Sequence, residues 1–339
     1  MLSGPTILVI GAGSSVDFAM PIGSELATTI AQYLAFTWEH TGRLKTGDPR
    51  ILAALQRRHQ GDAYIPFVEA AQKLASVLPG FSSIDDCLFT HDGDERLRLM
   101  GKMAIARIIA EREHASWLRG LWGSADQREE ALAQMWGGWA QGLVRILATG
   151  LKAQNLLLLF NNLTLVTFNY DRCAETALFH AVRRTFAIDD QEAAKVMANL
   201  TVFRPYGTLG QLPWAGRDGE PFGNPGPDLM TLADRIQVYT EDQSERPDLE
   251  ELRNRIRNSR NIIMLGFGFH PLNMRLLGAV SDSGERPAIF STLVKEPSPR
   301  RTEIMGRIRQ AFGVASPKLA LDSINCAQLI SQYGGQFSE

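Results

Sequence analysis

The sequence predicts an α/β fold: a mostly parallel sheet with helices on both faces and a large all-helical insertion after the first strand-helix unit. A β-branched run, Thr6–Ile10, stops at glycines, and an apolar helix pattern follows over Ile22–Leu34. About 130 residues with mostly helical periodicity separate that helix from the next comparable strand, Leu163–Phe168. Strands and helices then alternate, which is typical of a parallel sheet covered on both faces.

Length and composition narrow the class of protein. The 339 residues correspond to two compact units, or one unit with an insertion, at ~150 residues per domain. A net charge of -2 argues against a large basic surface for nucleic acid. Three cysteines without a C-x-x-C pair argue against zinc, and the longest apolar stretch, Leu156–Phe168, is too short to span a bilayer. We therefore expect a cytoplasmic protein without a metal or a membrane anchor.

The chain divides into a predicted core of residues 1–34 and 155–339 and a helical insertion of residues 35–154. Inside the insertion, Ser83 is placed to cap a helix over Ile84–Leu88. Long helices are predicted over Arg96–Trp117 and Gln127–Leu151. Four tryptophans are expected to pack between these helices: Trp117, Trp122, Trp136 and Trp139.

The second half of the chain supplies the remaining elements of the predicted sheet. Predicted strands are Leu200–Phe203, Asn261–Leu265 and the edge strand Ala288–Thr292. Predicted helices are Asp171–Arg184, Arg246–Arg257, Pro271–Val280 and Thr302–Phe312. The glycine- and proline-rich segment Gly207–Pro227 is predicted to be a long loop, and such loops are often functional.

Ligands of open α/β sheets bind beyond the carboxyl ends of the strands, so the turns after the strands carry the functional signal. The first turn, Gly11–Ser15, has two glycines and suits a phosphate at free N–H groups, although Val16 stands where a dinucleotide fingerprint has its third glycine. A glycine-rich turn without a ligand is the alternative. In the second turn, Asn169 and Asp171 are placed to hold a ribose and orient a water, or else to fix the turn and cap the next helix.

The third and fourth turns follow the strands that end at Phe203 and Leu265. Arg204 and Tyr206 could face a ligand, or Tyr206 could close the core with its hydroxyl on a backbone group. At Gly266–His270 the glycines allow close backbone approach, and His270 is either a titrating group or a structural hydrogen-bond donor.

The order of these turns along the chain and the residues in them resemble those of the sirtuin-like family, in the branch found in bacterial antiviral defence. Gly11–Ser15, continuing to Pro21, is similar to the family's Gly-Ala-Gly-x-Ser stretch. Thr167–Asp171 is similar to the Thr-x-Asn-Tyr-Asp signature of that branch, and Ile263–His270 to its Gly-Phe-Gly-Phe segment. Ser83–Asp86 resembles a stretch often found in the helical region.

This resemblance implies a Rossmann-like core that binds NAD or ADP-ribose, and NAD hydrolysis to nicotinamide and ADP-ribose in antiphage defence. It also implies a homo-oligomer or an ATPase or translocase partner. The implied catalytic residues are Asn169, Asp171, Tyr206 and His270. The implied cofactor-binding residues are Gly11, Ala12, Gly13, Ser14, Ser15, Pro21, Thr167, Asn169, Gly207, Gly266 and Gly268.

Two departures from the family pattern shape the functional hypotheses. The zinc module and the Asp-Phe-Arg of deacetylating sirtuins are absent, which argues against protein deacylation. Tyr206-Gly207 stands where family NADases have His-Gly, and a tyrosine with a pKa of about 10 is a poor base at neutral pH. The hypotheses are therefore an NAD hydrolase in which His270 or Asp171 replaces that histidine, a module that binds NAD or ADP-ribose without turnover, and an assembly subunit.

Overall fold

The computed structural model describes residues 2–216, 219–224, 226, 228–238, 247–279, 286–294, 297–314 and 319–338. The strands are β1 Thr6–Ile10, β2 Thr37–Trp38, β3 Leu44–Thr46, β4 Leu163–Thr167, β5 Thr201–Phe203, β6 Asn261–Leu265, β7 Ala288–Thr292 and β8 Leu319–Asp322. The helices are α1 Gly23–Leu34, α2 Pro49–Arg58, α3 Ile65–Val77, α4 Ile84–Thr90, α5 Glu95–Ala115, α6 Ala125–Trp136, α7 Trp139–Ala148, α8 Cys173–Phe186, α9 Asp190–Met197, α10 Leu229–Arg235, α11 Pro247–Arg257, α12 Pro271–Leu277, α13 Ser298–Phe312 and α14 Cys326–Ser338.

Six of the described strands form one parallel sheet in the order β5-β4-β1-β6-β7-β8. Numbered by their own chain order, these strands run 3-2-1-4-5-6, the order of dinucleotide-binding Rossmann folds. β1 lies at the centre, with Thr6 opposite Leu163 of β4 and Asn261 of β6. The predicted α/β fold is confirmed.

Helices cover both faces of this sheet. Ile7 and Val9 of β1 belong to one apolar cluster, which includes residues of α1, α3, α5 and α11 to α13. Leu8 and Ile10 belong to the other, with α7, α8, α9 and α14. This alternation follows from the two-residue period of a strand, and all five residues of β1 are buried.

The helices of residues 35–154 contribute to both layers. α3 and α5 pack against α1 on one face of the sheet, and α7 packs against α8 and α14 on the other. This segment also contains an antiparallel pair, β2 and β3, which the sequence analysis did not predict. The division of the chain into a core and a separate insertion domain stays a prediction.

Several predicted elements differ from the structure. Ala288–Thr292 is an interior strand rather than an edge strand, because β8 pairs with its outer side. Gln127–Leu151 is interrupted, because Gly137 and Gly138 separate α6 from α7 and glycine lowers helix stability. Residue 246 of the helix predicted over Arg246–Arg257, residue 280 of Pro271–Val280, and residues 217, 218, 225 and 227 of the predicted loop lie outside the described residues.

The tryptophans of residues 35–154 have different surroundings. Trp139 is fully buried and donates from Nε1 to the carbonyl of Ser14, so packing in the interior is confirmed for it. Trp117 is partly buried, and its Nε1 donates to the carbonyl of Asp17. Trp122 and Trp136 contact side chains of neighbouring helices but remain 47% and 53% exposed, so the expected packing is only partial for these two.

Candidate functional site

The turns after β1, β4 and β6 lie side by side because these three strands are neighbours in a parallel sheet. The strand order reverses direction at β1: β4 and β5 extend the sheet on one side, and β6 to β8 extend it on the other. Ligands of open α/β sheets bind in the crevice at such a switch point. The sheet therefore brings the first, second and fourth predicted turns together, with the turn after β5 beside that of β4.

Glycines allow the turns after β1 and β6 to approach each other closely. A Cβ atom on Gly11 would lie 2.5 Å from the carbonyl oxygen of Gly266, and one on Gly13 would lie 2.9 Å from Gly266 Cα. Gly266 has a φ of +58°, and a Cβ atom there would lie 2.0 Å from the backbone nitrogen of Ser14. These three glycines are thus required by contacts between two segments of backbone, whether or not a ligand binds.

The backbone N–H groups of the first turn are mostly engaged within the protein. Gly11 donates to Leu265 and Gly13 to Gly266, whereas Ser14 and Ser15 donate back to Gly11 and Ala12. The expectation of a row of free N–H groups is therefore wrong for these four residues. Within the described part of the chain, the Ala12 N–H is the one in this turn without a backbone acceptor.

The α-helix after β1 begins later than the turn. Two short 3-10 segments, Ala12–Ser14 and Val16–Phe18, follow the strand, and α1 begins at Gly23 after the buried Pro21. The N-terminus of α1 is capped by Glu25, whose side chain accepts from the Ile22 N–H at 3.3 Å. The first turn is therefore not itself a helix N-terminus of the α type.

A buried hydrogen-bond network joins the turns after β1 and β4. Asn169 Nδ2 donates to the carbonyl of Gly11 at 3.1 Å and to Ser15 Oγ at 2.9 Å. Ser15 Oγ donates in turn to Asp171 Oδ1 at 3.1 Å. Asn169 and Asp171 are each 6% exposed, and Ser15 is 1% exposed. The carboxamide, hydroxyl and carboxylate are thus preorganised at the switch point of the sheet.

Asp171 combines a structural contact with an unusual acidity. Its Oδ1 accepts from the backbone N–H of Cys173 at 2.9 Å, at the start of α8. Burial raises the pKa of Asp171 to about 6, and the carboxylates of Glu113 and Glu175 act in the same direction. A carboxyl group with such a pKa can exchange a proton near neutral pH.

The third turn is part of an aromatic cluster. Tyr206 is 3% exposed, its hydroxyl donates to Asn273 Oδ1, and its ring stacks on Tyr170 with centroids 6.1 Å apart. Gly207 has a φ of +67°, and a Cβ atom there would lie 2.1 Å from the carbonyl oxygen of Arg235. This turn is therefore fixed by its contacts with the α12 residue Asn273 and with the segment that follows α10.

Both ring nitrogens of His270 have partners. Nδ1 accepts from the backbone N–H of Leu272 at 3.3 Å, which caps α12, and Nε2 lies 2.9 Å from Asp86 Oδ1. Asp85, next to Asp86, accepts from the hydroxyl of Tyr170 at 3.1 Å. Burial raises the pKa of Asp85 to about 6, while the Tyr170 hydrogen bond and the His270 charge lower it.

Asp85, Asp86 and Asn273 are the polar residues that the sequence analysis did not assign to the site. The only sequence signal for the two aspartates was the Ser83–Asp86 stretch, and it carried no role. The side chains of two other predicted residues make local hydrogen bonds within the turns. Thr167 Oγ1 accepts from the Asn169 N–H at 3.2 Å, and Ser14 Oγ donates to the carbonyl of Gly11 at 2.8 Å. Gly268 is exposed and has open space where a Cβ would stand.

The comparisons with known proteins leave the family open. No protein-family model matches the chain, and no curated protein matches it significantly. No group of three or more His, Cys, Asp or Glu side chains in the described ranges is arranged to hold a metal ion. No helix in the part of the chain that the structure describes is long and apolar enough to cross a membrane.

Proposed function

We propose that this chain binds NAD+ at the carboxyl ends of β1, β4 and β6 and hydrolyses the nicotinamide–ribose bond. The network of Asn169, Ser15 and Asp171 carries the proposal, because it places a carboxamide and a titratable carboxyl group at the switch point of a sheet with the dinucleotide-binding strand order. The resemblance of the turns to sirtuin-like proteins supports the same ligand.

Cleavage of the nicotinamide–ribose bond needs little general-acid catalysis, because nicotinamide leaves as a neutral molecule and the ribose becomes cation-like. The carboxylate of Asp171 stabilises that positive charge. Asn169 Oδ1 accepts no hydrogen bond from the described residues, so it serves a ribose hydroxyl or the attacking water. Asp171 and Asp85, each with a pKa raised to about 6 by burial, stand in for the base that Tyr206 does not supply.

A second function, binding of NAD or ADP-ribose without turnover, is favoured by the third turn. The Tyr206 hydroxyl is bound to Asn273 and is 97% removed from solvent together with its ring, so it offers no base to a water. The module would then sense the nucleotide or serve assembly. In either case, the resemblance suggests a role in antiphage defence, with self-assembly or an ATPase or translocase partner as the regulator.

The experiment that tests hydrolysis is a proton NMR time course of the protein with NAD+, observing free nicotinamide. Asn169→Ala is expected to abolish its release. The matched control is Asn162→Ala, because Asn162 precedes β4 at the amino end and its Nδ2 donates to the carbonyl of Leu2. Release that is unchanged in Asn169→Ala would overturn the proposed site.

The absence of nicotinamide release is separated from the absence of binding by thermal unfolding with millimolar NAD+ or ADP-ribose. A rise in melting temperature that Asn169→Ala removes and Asn162→Ala keeps would support the binding module. No rise with either nucleotide would contradict both functions.

Light scattering of the protein, alone and mixed with the products of neighbouring genes, tests assembly. A monomer in every mixture would exclude an assembly role.

A further inference from the structure

A large cavity lies away from the switch point. Its volume is about 990 Å³, and it is formed by the 3-10 segment Trp117–Trp122, the helices α6, α8 and α9, and the loop residues 213, 214, 221, 222 and 224. None of the residues assigned to the NAD site lines it. A volume of this size is at the upper end of the range for small-molecule sites.

Aromatic rings form much of the wall of this cavity. Trp122 lies nearly parallel to Trp214, with an interplanar angle of 13° and centroids 6.5 Å apart. Trp214 stacks on Phe179 at 4.0 Å, and Trp122 lies 6.1 Å from Phe222. Trp122 nevertheless remains 47% exposed. About half of the Trp122 side chain therefore stays accessible to a ligand, while its ring neighbours, which include His180 at 4.7 Å, hold it in place.

The polar part of the wall is rich in carboxamides, which carry both donors and acceptors. These side chains are Gln127, Gln134, Gln191 and Asn224, although the Gln127 Oε1 already accepts from the Ser124 N–H at 2.9 Å. The edges of nucleobases present the same mixture, and Asn and Gln pair with such edges.

The charged side chains of the wall disfavour a polyphosphate. Among the described residues that line the cavity, Arg119 is the only Lys or Arg, and its Nη1 lies 2.8 Å from His114 Nε2. The carboxylates of Glu130 and Asp190 also line the cavity. Asp190 is already paired with Arg183 Nε at 2.7 Å, and Arg119 already contacts a histidine. The described wall therefore offers little positive charge to hold phosphate groups.

We propose that this cavity binds the base of a nucleoside without phosphates, with Trp122 as its stacking surface. Base–aromatic stacking contributes strongly to binding, and the carboxamides supply hydrogen bonds to the base edge. This site is distinct from the proposed NAD site, because the two share no residue.

Calorimetric titration with adenosine tests the proposal. Saturable binding is expected, weakened about 5- to 150-fold in Trp122→Ala and retained within a few-fold in Trp122→Phe, which keeps an aromatic face. Trp136→Ala is the matched control, because Trp136 is 53% exposed but stacks between Arg145 and Arg184 and does not line this cavity. Adenosine triphosphate is expected to bind more weakly than adenosine.

Each failure has its own meaning. No heat of binding with adenosine overturns the proposal, as does equal binding to wild type and to a folded Trp122→Ala variant. Loss of adenosine binding in Asn169→Ala with full binding in Trp122→Ala would assign the nucleoside to the switch-point site instead. Failure of NAD+ to bind leaves this proposal untouched, since adenosine binding that depends on Trp122 is measured separately.

Discussion

Arg172 Nη2 lies 2.6 Å from Glu113 Oε2, and the two side chains are 1% and 0% exposed. Glu113 Oε1 also accepts from the backbone N–H of Arg172. The guanidinium donates further to the carbonyls of Glu220 and Pro221. This pair therefore ties the end of α5 to the turn after β4 and to the loop that lines the cavity beside Trp122.

Removal of one partner of this pair is expected to be costly. Glu113→Ala should lower the free energy of unfolding by about 3–5 kcal/mol, because it leaves the buried Arg172 guanidinium without a counter-charge. Glu251→Ala, which removes the exposed partner of Arg255, should cost less than about 1 kcal/mol. Urea unfolding measures both values, and equal losses would contradict the role given to burial.

The two glycines of the fourth turn are expected to respond differently to alanine. Gly266→Ala should lower stability by at least about 2 kcal/mol, because its φ is +58° and the added Cβ meets the Ser14 nitrogen. Gly268→Ala has open space for the Cβ and should change stability by no more than about 0.5 kcal/mol. Thermal unfolding separates the two. If Gly268→Ala weakens NAD+ binding without loss of stability, a ligand lies beside that backbone.

The raised pKa of Asp171 predicts the pH dependence of stability. The folded protein prefers protonated Asp171, so its favourable contribution is complete below the ordinary pKa of 3.8 and is lost as the pH rises through about 6. Between pH 4 and 7, wild type should therefore lose on the order of 2–3 kcal/mol relative to Asp171→Asn. Unfolding across this range measures the difference.

An aspartate with the opposite shift provides the control. The backbone N–H of Leu97 lowers the pKa of Asp94, so Asp94 contributes stability above pH 3.8 that is lost on further acidification. Relative to Asp94→Asn, wild type should lose stability as the pH falls. If the stability of wild type relative to the Asn variant changed with pH in the same direction for Asp171 and Asp94, the raised pKa of Asp171 would be refuted.

The tyrosine of the third turn predicts a gain of activity. Tyr206→His should raise nicotinamide release by about 100- to 10,000-fold if a base limits the reaction, because histidine titrates near neutral pH. Tyr206→Phe loses the hydroxyl that contacts Asn273 and should show no gain. NMR time courses at equal protein concentration compare the three proteins. A folded Tyr206→His variant that releases nicotinamide no faster than wild type would show that Asp171 or Asp85 already acts as the base, or that no turnover occurs.

The central strands were predictable because β1, β4 and β6 are short apolar runs bounded by turn-forming residues. Such runs favour buried strands, since they are too short for most helices. β8 was missed because Leu319–Asp322 has no β-branched residue and is only partly buried. Its absence from the prediction made β7 an edge strand. The Gly137-Gly138 break inside an otherwise helical pattern was visible in the sequence but was outweighed by the periodicity around it.

The site was predictable only where it depends on strand ends. Asn169 and Asp171 follow β4 and Gly11 and Ser15 follow β1, so parallel pairing brings them together. The contacts of Tyr170 with Asp85 and of Tyr206 with Asn273 depend on the positions of α4 and α12 beside these turns, and no local spacing encodes those positions. The engaged N–H groups of the first turn were also hidden, because their acceptors include Leu265 and Gly266 from β6 and its turn.

The central position of β1 has a consequence for the order of events in folding. Its two neighbours in the sheet begin at Leu163 and Asn261, so both edges of the first strand stay unpaired until distant parts of the chain have been synthesised. Such non-local pairing slows folding and leaves exposed strand edges open to aggregation. During translation, we expect early packing of α1, α3 and α5 to cover one face of the apolar strand Thr6–Ile10 until β6 has left the ribosome.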